Sequence, residues 1–566
     1  MKSKLNLDVP QHKYPKYVFV TGGVISGIGK GITTASIALL LKSSGYKVSV
    51  LKADMYLNLD AGTMNPLEHG EIFVTEDGHE TDQDLGHYER FLNQNVLKHD
   101  YFTMGQVYYD VISNERSLEY KGKCVEGNIH IPQEIISKIK TAAEMDKAEI
   151  MLIEVGGTVG EYQNIMFFEA IRRMKQKEPD NIFLIHLVYL LIPPFLGEMK
   201  TKPAQASIYD LYALGLQPNF VICRSQKEID EKRRQTISFN TGIKTENIIS
   251  APDVDTIYKT PTILKSQNMD TKLLNEMHLK HREQKNLFEW AEKVNKINSV
   301  KKTVNIAITG KYFTSGSFSL EDSYVCVIEA IKHAAWAQNL KPVIKWFDVE
   351  KFENPKEKET LEEKLKTFDG IIVPQGWGSR GVEGKIEVVK FARENKIPYL
   401  GLCFGMQMAV IEYARNVANL KDANSTEVNS KTSNPIVHIM PNQEKYLKEN
   451  QYGGTIRLGA WPCKILKGSV IEEAYKKFSP DDINSENVVS ERHRHRYEIN
   501  NEYKSKLEKK GLVFCGTSRD GKLIEAVELP KKIHTFFVAT QFHPEYKSRF
   551  LKPHPLFMAF IEASIK

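Results

Sequence analysis

Short apolar runs alternate with amphipathic stretches through the first half of the chain. The runs have the length and the β-forming composition of buried strands, and they lie at residues 17–20, 47–52, 150–155, 182–192 and 220–223. Helical patterns separate them, so the alternation predicts an α/β architecture built on a parallel sheet. The most apolar stretch, 182–195, is too short to span a bilayer and contains Pro193 and Pro194, which favours a buried strand.

A second α/β pattern begins with the apolar run 303–308. Before it, residues 270–302 are charged and helix-prone, which is typical of a connector between domains. A chain of 566 residues is also too long for a single hydrophobic core. We therefore predict one domain at residues 1–280, a linker at 281–302 and a second domain at 303–566.

The composition is that of a globular protein and adds few constraints. The net charge of +6 suits small anionic substrates at least as well as nucleic acid. The cysteines form no C-x-x-C pair, which argues against a zinc site or a disulfide framework and for a reducing compartment; they lie at positions 124, 223, 326, 403, 463 and 515. The N-terminus lacks the pattern of a secretory signal. We expect a cytoplasmic enzyme that has no membrane partner.

A glycine-rich loop at residues 21–31 follows the first apolar run and leads into a helical pattern at 32–41. This order suits phosphate binding, because small residues let backbone N–H groups approach phosphate oxygens and the helix N-terminus favours their charge. Lys30 would reach the outer phosphates. Gly31 stands where a Walker A motif has the Ser or Thr that binds magnesium, so a metal would need acidic residues from elsewhere. The alternative is a glycine-rich turn with an incidental lysine.

Two carboxylates are candidates for that metal. Glu154 ends an apolar strand just before Gly156, and open α/β sheets bind ligands at the carboxyl ends of their strands. Asp84 belongs to an acidic segment further upstream, and acids in such a segment are usually just solvated. Magnesium favours one or two carboxylates together with phosphate oxygens.

The second domain carries a candidate thiol nucleophile. Cys403 follows an apolar run and is flanked by Gly401 and Gly405, a pattern typical of a sharp strand-to-helix turn that exposes the thiol at a helix N-terminus. Far downstream, His543 and Glu545 are two residues apart, so an extended segment would point both the same way, with the imidazole as base and the carboxylate orienting it. The alternative is a buried structural cysteine and an unrelated histidine turn.

These segments resemble class I glutamine amidotransferase domains, whose nucleophile turn reads G-x-C-x-G-x-Q and whose base lies in an F-H-P-E box. The resemblance implies three catalytic residues, Cys403, His543 and Glu545. It also implies that the backbone N–H groups of Gly376 and Phe404 hold the tetrahedral oxyanion. Gln375 stands in this loop where the family usually has glycine.

Across nearly its full length the chain resembles the CTP synthase family. The matching motifs lie, in chain order, at residues 21–31, 62–64, 69–71, 81–90, 154–160, 200–203, 253–255, 424–427 and 491–498. The resemblance implies a P-loop-type parallel-sheet amidoligase domain followed by a class I glutamine amidotransferase α/β domain. It further implies that ATP phosphorylates O4 of UTP and that ammonia from glutamine replaces this phosphate.

The binding residues of the family carry over onto these motifs. ATP would contact Ser26, Gly27, Ile28, Gly29, Lys30, Gly31, Lys52, Asp84, Asp253, Val254 and Asp255. UTP, or CTP as feedback inhibitor, would contact Ser26, His69, Glu161, Tyr162, Gln163, Lys200, Lys202 and Gln205. The magnesium ligands would be Asp84 and Glu154. The amino-acid end of glutamine would be held by Gln407, Glu427 and Arg496.

The resemblance also implies that Mg2+ accompanies ATP as cosubstrate, that GTP is an allosteric activator, and that the protein is a homotetramer that can form filaments. It implies no nucleic-acid partner. The basic run at 491–498 would suit a nucleic-acid patch, but acids bracket it and no aromatic platform accompanies it.

The acceptor motifs depart from the family pattern, whereas the ATP and glutaminase motifs stay intact. Gln163 replaces a glutamate, Ala204 a threonine and Met55 a proline, and Glu126 adds negative charge near a triphosphate. We expect UTP to remain the acceptor and CTP to inhibit less strongly than in typical members. Two alternatives stay open: a related amidoligase with a different pyrimidine nucleotide or a carboxylate as acceptor, and a non-catalytic assembly protein.

Overall fold

The structure is a computed structural model that describes residues 15–282, 287–311, 314–315, 318–319, 321–440, 443, 445–446, 449 and 453–565. The chain divides into two compact units. The first comprises Met1–Leu59 and His99–Ala291, and the second comprises Asp60–Lys98 and Glu292–Lys566. The second unit is therefore assembled from two stretches that are far apart in sequence.

The strands of the described residues, in chain order, are β1 (Lys16–Gly22), β2 (Val48–Asp54), β3 (Phe73–Val74), β4 (Glu80–Thr81), β5 (Tyr101–Thr103), β6 (Ile150–Val155), β7 (Ile182–Tyr189), β8 (Phe220–Ser225), β9 (Ile248–Pro252), β10 (Thr303–Gly310), β11 (Thr314–Ser315), β12 (Phe318–Ser319), β13 (Lys341–Asp348), β14 (Gly370–Val373), β15 (Tyr399–Leu402), β16 (Ala423–Ser425), β17 (Asn434–Ile439), β18 (Arg457–Ile465), β19 (Val488–His495), β20 (Tyr497–Ile499), β21 (Val513–Ser518), β22 (Ile524–Glu528) and β23 (Phe537–Thr540).

The α-helices of the described residues are α1 (Lys30–Ser43), α2 (Pro66–His69), α3 (Asp84–Leu92), α4 (Met104–Arg116), α5 (Gly127–Met145), α6 (Ile165–Lys177), α7 (Lys202–Ala213), α8 (Glu231–Thr241), α9 (Thr260–Ser266), α10 (Met269–Glu276), α11 (Leu287–Ser299), α12 (Val325–Ala337), α13 (Pro355–Leu365), α14 (Val382–Glu394), α15 (Phe404–Asn416), α16 (Val470–Phe478), α17 (Lys504–Glu508) and α18 (Pro555–Ala563).

The first unit is built on a parallel sheet with the strand order β5-β2-β6-β1-β7-β8-β9. The apolar runs of the first half form β1, β2, β6, β7 and β8, so the predicted parallel α/β sheet is confirmed. One face of β1, β2 and β6 packs in an apolar cluster with α4, α5 and α6. This order places β6 between β2 and β1, which brings the ends of those three strands together.

The most apolar stretch of the sequence forms a strand, as predicted. It gives β7, which is almost fully buried and ends at Tyr189, before the two prolines. Over the residues that the structure describes, no helix combines the length and the apolar character needed to cross a membrane.

The second unit is built on a mixed sheet with the order β13-β10-β14-β15-β23-β22-β21-β18-β19. The strands from β13 to β23 are parallel neighbours, and those from β22 to β19 pair antiparallel. Apolar clusters cover both faces: α14 and α15 contribute to one, and α12 and α18 contribute to the other. The predicted second α/β unit is therefore confirmed. Its antiparallel half is an addition that the hydrophobic pattern did not reveal.

A buried carboxylate holds the stretch Asp60–Lys98 in the second unit. Glu89 of α3 is fully buried and accepts two hydrogen bonds, of 2.9 and 3.0 Å, from Arg492 of β19. Arg549 forms a further ion pair with Glu89. The Nε of Arg492 donates to Glu76 of the same stretch at 2.8 Å. Each of these buried charges has thus exchanged water for charge-assisted hydrogen bonds.

Replacing Glu89 should destabilise the second unit. Glu89→Gln leaves two buried guanidinium groups facing an uncharged partner, and breaking a buried ion pair in this way costs about 3 kcal/mol or more. Denaturant unfolding followed by tryptophan fluorescence should therefore show a lower midpoint. The matched control is Glu486→Gln, which removes an exposed carboxylate 3.8 Å from Arg519 and should leave the midpoint unchanged. Equal midpoints for the two variants would contradict the prediction.

Candidate active sites

In the first unit a glycine loop joins β1 to α1. Gly29 caps α1 with φ of 84°, a left-handed conformation that favours glycine. Gly23 has no room for a side chain, because a Cβ there would lie 1.5 Å from the Oγ of Ser207 and 2.9 Å from the Nε2 of His186. The loop therefore keeps its backbone close to the sheet and presents it at a helix N-terminus, which suits a bound phosphate.

His186 and Ser207 support this loop, and sequence reasoning missed both. The Nδ1 of His186 lies 2.9 Å from the Oγ1 of Thr21, and its Nε2 lies 2.8 Å from the Oγ of Ser207. Burial lowers the pKa of His186 to about 3, and the charge of Lys30 adds to the effect. The ring is therefore neutral and acts as a hydrogen-bonded spacer beneath the loop. Because His186 lies inside an apolar strand, the local sequence carries no signal of this role.

Lys30 begins α1 and reaches the neighbouring strand end. Its Nζ donates to the carbonyl of Gly157 at 2.6 Å. The loops after β1 and β6 therefore lie side by side, as expected for adjacent parallel strands. The other predicted loop residues differ in exposure, with Ser26 and Gly27 exposed, Gly29 half-buried, and Ile28 and Gly31 buried.

Lys52 and Glu154 lie opposite each other on β2 and β6. Their Cα atoms are register partners, and the Nζ of Lys52 is 3.1 Å from Oε1 of Glu154. Oδ1 of Asp54 lies 3.8 Å from the same ammonium group. All three side chains are buried. A buried carboxylate that balances a cation here is also a suitable oxygen ligand for magnesium, so Glu154 fits the metal chemistry that the resemblance implies.

The turn after β6 carries the predicted acceptor residues Glu161, Tyr162 and Gln163. Oε1 of Glu161 accepts from the backbone N–H and the hydroxyl of Thr158, at 2.8 and 3.0 Å. The Nε2 of Gln163 donates to the sulphur of Met55 at 3.0 Å and to Glu161 at 3.3 Å. Tyr162 is 89% exposed. Two positions that depart from the family pattern, Met55 and Gln163, are therefore in contact.

Three further predicted nucleotide residues lie at the start of α7. Lys200 forms an ion pair of 2.7 Å with Glu198, and Lys202 is the first residue of α7. The Nε2 of Gln205 donates to the hydroxyl of Thr201 at 3.1 Å. Both lysines therefore stand near a helix N-terminus, where positive charge suits a polyphosphate.

The nearby position 204 lies in the core of the first unit. Ala204 is fully buried in an apolar cluster with Val188 and Ile208. Its methyl group packs among apolar side chains, so the replacement of threonine by alanine at this position gives no structural reason for weaker nucleotide binding.

The predicted adenine segment, Asp253, Val254 and Asp255, follows β9. Asp253 and Asp255 are exposed, and Asp253 accepts from Arg224 at 2.9 Å. Arg224 is a residue that sequence reasoning missed, and its Nε lies 3.9 Å from the position of a Cβ added at Gly29. This arginine thus connects the predicted adenine segment with the glycine loop.

Two of the predicted nucleotide residues, His69 and Asp84, belong to the second unit. The Nδ1 of His69 lies 3.6 Å from Oδ2 of Asp82. Asp84 begins α3, and its backbone N–H donates to Oδ1 of Asp82 at 2.8 Å.

In the second unit, three adjacent parallel strands each end at a predicted glutaminase residue. β15 lies between β14 and β23, and Leu402 is the register partner of Thr540. Gly376 follows β14, Cys403 follows β15, and His543 follows β23. Because the carboxyl ends of parallel neighbours share one edge of the sheet, residues that are distant in sequence converge there.

Cys403 is held in a strained conformation at the N-terminus of α15. Its φ of 51° and ψ of −100° are costly for a residue with a Cβ. Its N–H donates to the carbonyl of Thr540 at 2.7 Å. The thiol contacts the carbonyl of Arg494 at 3.7 Å and receives a hydrogen bond of 3.4 Å from the Nε2 of Gln541. The neighbouring strand thus fixes the turn and holds the thiol at the helix N-terminus.

His543 is oriented by Glu545 and Tyr546. Its Nδ1 lies 2.7 Å from Oε1 of Glu545, and its ring stacks on Tyr546 with centroids 4.8 Å apart. Among the described residues, its buried Nε2 has no hydrogen-bond partner. Burial alone would lower the pKa of His543, but the charges of Glu545 and of a Cys403 thiolate raise it to about 10. The ring therefore favours the imidazolium form, the ion-pair partner that activates a cysteine.

Two buried lysines hold the loop after β14 by its carbonyl groups. The Nζ of Lys385 donates to the carbonyls of Pro374 and Gln375, at 2.8 and 3.4 Å. The Nζ of Lys311 donates to the carbonyl of Gly378 at 3.3 Å. Burial lowers the pKa of Lys311 to about 8 and that of Lys385 well below its usual value.

These lysines also determine where the Gly376 N–H points. The carbonyl of Gln375 and the N–H of Gly376 belong to one planar trans peptide, so they point in opposite directions. Because the carbonyl faces Lys385, the N–H faces away from it. The loop can therefore offer this N–H to an oxyanion, as the resemblance implies.

The predicted glutamine-binding residue Gln407 is linked to the Cys403 thiol through a second amide, that of Gln541. Gln407 is 3% exposed and donates to the carbonyl of Tyr497 at 3.1 Å and to Gln541 at 3.2 Å. Oε1 of Gln407 is buried and has no partner among the described residues. Gln541 connects Gln407 to Cys403, and sequence reasoning gave it no role.

Glu427 and Arg496, the other two residues that the resemblance assigns to glutamine, carry side chains of opposite charge type. Oε1 of Glu427 accepts from the N–H of Gly378 at 2.7 Å, in the loop after β14 that carries Gly376. Burial raises the pKa of Glu427, while Gly378 and Lys311 act against the shift. Arg496 is 4% exposed and donates to the hydroxyl of Thr455 at 2.9 Å.

Two further groups of potential metal ligands occur among the described residues, His99, Asp100 and Asp146 in the first unit and His493, His495 and Glu525 in the second. The Nδ1 of His495 lies 3.0 Å from the carbonyl of Tyr497 and must donate to it, which leaves Nε2 to accept from His493 at 3.1 Å. Arg457 pairs with Glu525 at 2.7 Å. These contacts pair Nδ1 of His493 and both ring nitrogens of His495, and Arg457 balances the charge of Glu525.

Comparisons with known proteins cover both halves of the chain. Residues 16–279 match the family model of the CTP synthase N-terminus, and residues 319–563 match that of class-I glutamine amidotransferase. The CTP synthase of Caldanaerobacter subterraneus is 45% identical over 553 residues, which cover 97% of this chain and 98% of that protein. The CTP synthase of Sulfolobus acidocaldarius is 46% identical over 549 residues, which cover 97% and 99%.

A solved structure also matches the second half. It is the glutaminase domain of Trypanosoma brucei CTPS with bound acivicin, which is 38% identical. The match covers 46% of this chain and 94% of that domain, with a TM-score of 0.41.

Removing the thiol should separate the two nitrogen sources. Cys403→Ala should abolish glutamine-dependent turnover and leave ammonia-dependent turnover largely intact, because the nucleophile serves only to release ammonia. Steady-state assays with each nitrogen source check this, and diazo-oxo-norleucine should label Cys403 alone in mass spectrometry. Cys463→Ala, at another buried cysteine, is the control and should keep both activities. Loss of both activities in folded Cys403→Ala would refute this division.

Removing the loop ammonium should stop ATP chemistry with either nitrogen source. Lys30→Ala should lower ATP-dependent turnover by roughly a thousandfold or more, since the ammonium stabilises charge on the transferred phosphoryl group. The rate of ADP release measures this ATP-dependent turnover. Lys42→Ala, in the last turn of the same helix, is the control and should stay close to wild type. Near-normal ADP release from Lys30→Ala would show that the glycine loop is only a turn.

Proposed function

Because this chain belongs to the CTP synthase family, we propose that its two catalytic centres divide one reaction between them. The reaction is the ATP-dependent conversion of UTP to CTP with nitrogen from glutamine. We assign the amidoligase chemistry to residues 1–280 and the glutaminase chemistry to 303–566, joined by a linker at 281–302. The observation that carries the glutaminase assignment is the oriented pair of His543 and Glu545, 2.7 Å apart, at the strand end beside Cys403.

In the glutaminase centre, Cys403 attacks the carboxamide carbon of glutamine and forms a C–S bond. The N–H groups of Gly376 and Phe404 stabilise the negative oxygen that develops. His543 gives its proton to the departing nitrogen, so ammonia leaves, and water then hydrolyses the thioester to glutamate. Arg496 and Glu427 suit the carboxylate and the ammonium group of the substrate, and their charges favour an amino acid over a simple amide.

In the amidoligase centre, O4 of UTP attacks the γ-phosphorus of ATP, and ammonia then displaces the phosphate from the 4-phosphoryl intermediate. Lys30 and Lys52 neutralise the charge on the transferred group. Glu154 would be a ligand of Mg2+, and the bound ion would supply further neutralisation of the phosphates. Release of Glu154 from Lys52 would then free the ammonium for the nucleotide.

The proposal extends to regulation and assembly by resemblance to the family. GTP would activate the enzyme, CTP would inhibit it, and the chain would form a homotetramer with a capacity for filaments. A cytoplasmic location suits both the nucleotide substrates and a nucleophile that must stay reduced.

The acceptor turn supports weaker binding of CTP. The Nε2 of Gln163 donates to Met55 and Glu161, so the side chain can offer a nucleotide only its single amide oxygen as an acceptor. A carboxylate at this position would offer two oxygens. Lys200 and Lys202 remain for the triphosphate. UTP should therefore still bind, and CTP should bind less tightly than in typical family members.

A nucleotide panel and one reversal test the acceptor proposal. UTP should support ADP release better than dUTP and other pyrimidine nucleotides, and Gln163→Glu should strengthen CTP inhibition by about tenfold, the effect of one good hydrogen bond to a charged group. Gln176→Glu adds the same charge on the exposed face of α6 and is the control. No UTP-dependent ADP release would overturn the choice of acceptor. Tight CTP inhibition of the wild type would overturn the weakened feedback.

A further inference from the structure

The side chain of Gln375, in the loop 374–378 that carries the Gly376 N–H (the oxyanion loop), has no role in the mechanism above. Its Nε2 donates to Oε1 of Glu71 at 2.7 Å. Its own Oε1 is buried and has no partner in the described part of the chain. By resemblance this position is usually glycine, which has no side chain to donate. The contact with Glu71 is therefore a property of this chain.

Glu71 connects the loop to a helix. It is 4% exposed, and its Oε2 accepts from the N–H of Cys326 in the first turn of α12 at 2.6 Å. Burial raises the pKa of Glu71 to about 7; the Cys326 N–H opposes the shift, the charge of Glu545 adds to it, and Arg90 opposes it. Each carboxylate oxygen thus has one N–H donor, and these donors offset part of the cost of burying the group.

The next two residues of the same stretch contact Tyr546, the residue whose ring stacks on His543. The hydroxyl of Tyr546, whose ring stacks on His543, donates to the carbonyl of Ile72 at 3.0 Å. The ring of Phe73 packs edge-on against Tyr546 with centroids 5.4 Å apart. Residues 71–73 therefore touch both the oxyanion side and the base side of one catalytic centre.

We propose that Glu71 and Gln375 are positioning residues that hold the oxyanion loop in register with the base. The proposal rests on the glutaminase function assigned to Cys403. The Gly376 N–H lies in the peptide that begins at the Gln375 carbonyl, so any rotation of Gln375 reorients that donor. Because the oxyanion exists only in the transition state, misplacing the donor lowers kcat and leaves KM for glutamine nearly unchanged.

The first test removes the amide donor and keeps the volume. Gln375→Leu should lower kcat for glutamine hydrolysis about tenfold, the effect of losing one hydrogen bond to a charged group, with KM within about twofold. Ammonia-dependent CTP formation should not change. The matched control is Gln338→Leu at the other end of α12, where the same amide donates to the carbonyl of Met558 at 2.9 Å. It should leave both activities near wild type. A wild-type kcat for Gln375→Leu would overturn the proposal.

The second test reverses the hydrogen bond. Gln375→Glu places two carboxylates together and should lower kcat further than Gln375→Leu. Adding Glu71→Gln should restore kcat to within about threefold of wild type, because the new amide can accept from Cys326 and donate to the new carboxylate. Failure of this rescue, in a double variant that unfolds at the wild-type temperature, would overturn the pairing.

Different results would contradict the glutaminase assignment and the positioning role of Glu71 and Gln375. A folded wild-type protein that uses ammonia but releases none from glutamine would refute the glutaminase assignment itself. Wild-type glutamine hydrolysis with equal kcat and KM in all the Gln375 variants would refute only the positioning pair.

Discussion

The inclusion of Asp60–Lys98 in the second unit depends on one interaction, the pairing of the buried Glu89 carboxylate with Arg492 and Arg549. Taking a carboxylate and two guanidinium groups out of water costs several kcal/mol for each ion, and only complete pairing offsets it. Arg492 supplies two hydrogen bonds, Arg549 another contact, and the N–H of Val96 a further hydrogen bond of 2.9 Å. This pairing retains Asp60–Lys98 on a sheet whose strands all come from the distant C-terminal half.

With that stretch fixed, each working part of the glutaminase centre gains a support. Glu71 supports the oxyanion loop, and Ile72 supports the tyrosine stacked on the base. Glu80 accepts from the Nε of Arg494 at 2.8 Å, and the carbonyl of Arg494 contacts the Cys403 thiol. A catalytic centre assembled on strand ends is thereby braced by a segment that supplies none of its reacting atoms.

The sequence was sufficient to predict β1, β2, β6, β7 and β8 of the first unit and the chemistry-bearing turns, because hydrophobic period and glycine placement are local signals. The two edge strands of this sheet, β5 and β9, were not predicted. Convergence of Cys403 with the segment after β23 follows from parallel topology once those strands are known. The assignment of residues 60–98 to the second unit could not be predicted, since periodicity does not report long-range packing. Lys311 and Lys385 were missed for a related reason: lysine predicts a solvated position, and both are buried beneath a loop of carbonyl groups.

The residues that depart from the family pattern can be interpreted from the contacts that they form in the structure, and not from their positions in the sequence alone. Met55 and Gln163 are separate changes in sequence, but the Nε2 of Gln163 lies 3.0 Å from the sulphur of Met55. The new thioether therefore accepts a hydrogen bond from the amide that replaces a carboxylate. Gln375 likewise stands beside Glu71, a buried carboxylate that needs hydrogen-bond donors. A glycine at that position would leave Glu71 to find another donor. The effect of a substitution beside a buried charge therefore depends on which neighbouring group then forms a hydrogen bond with that charge. The packed site determines that neighbour, so the residue type at a single position cannot predict the effect.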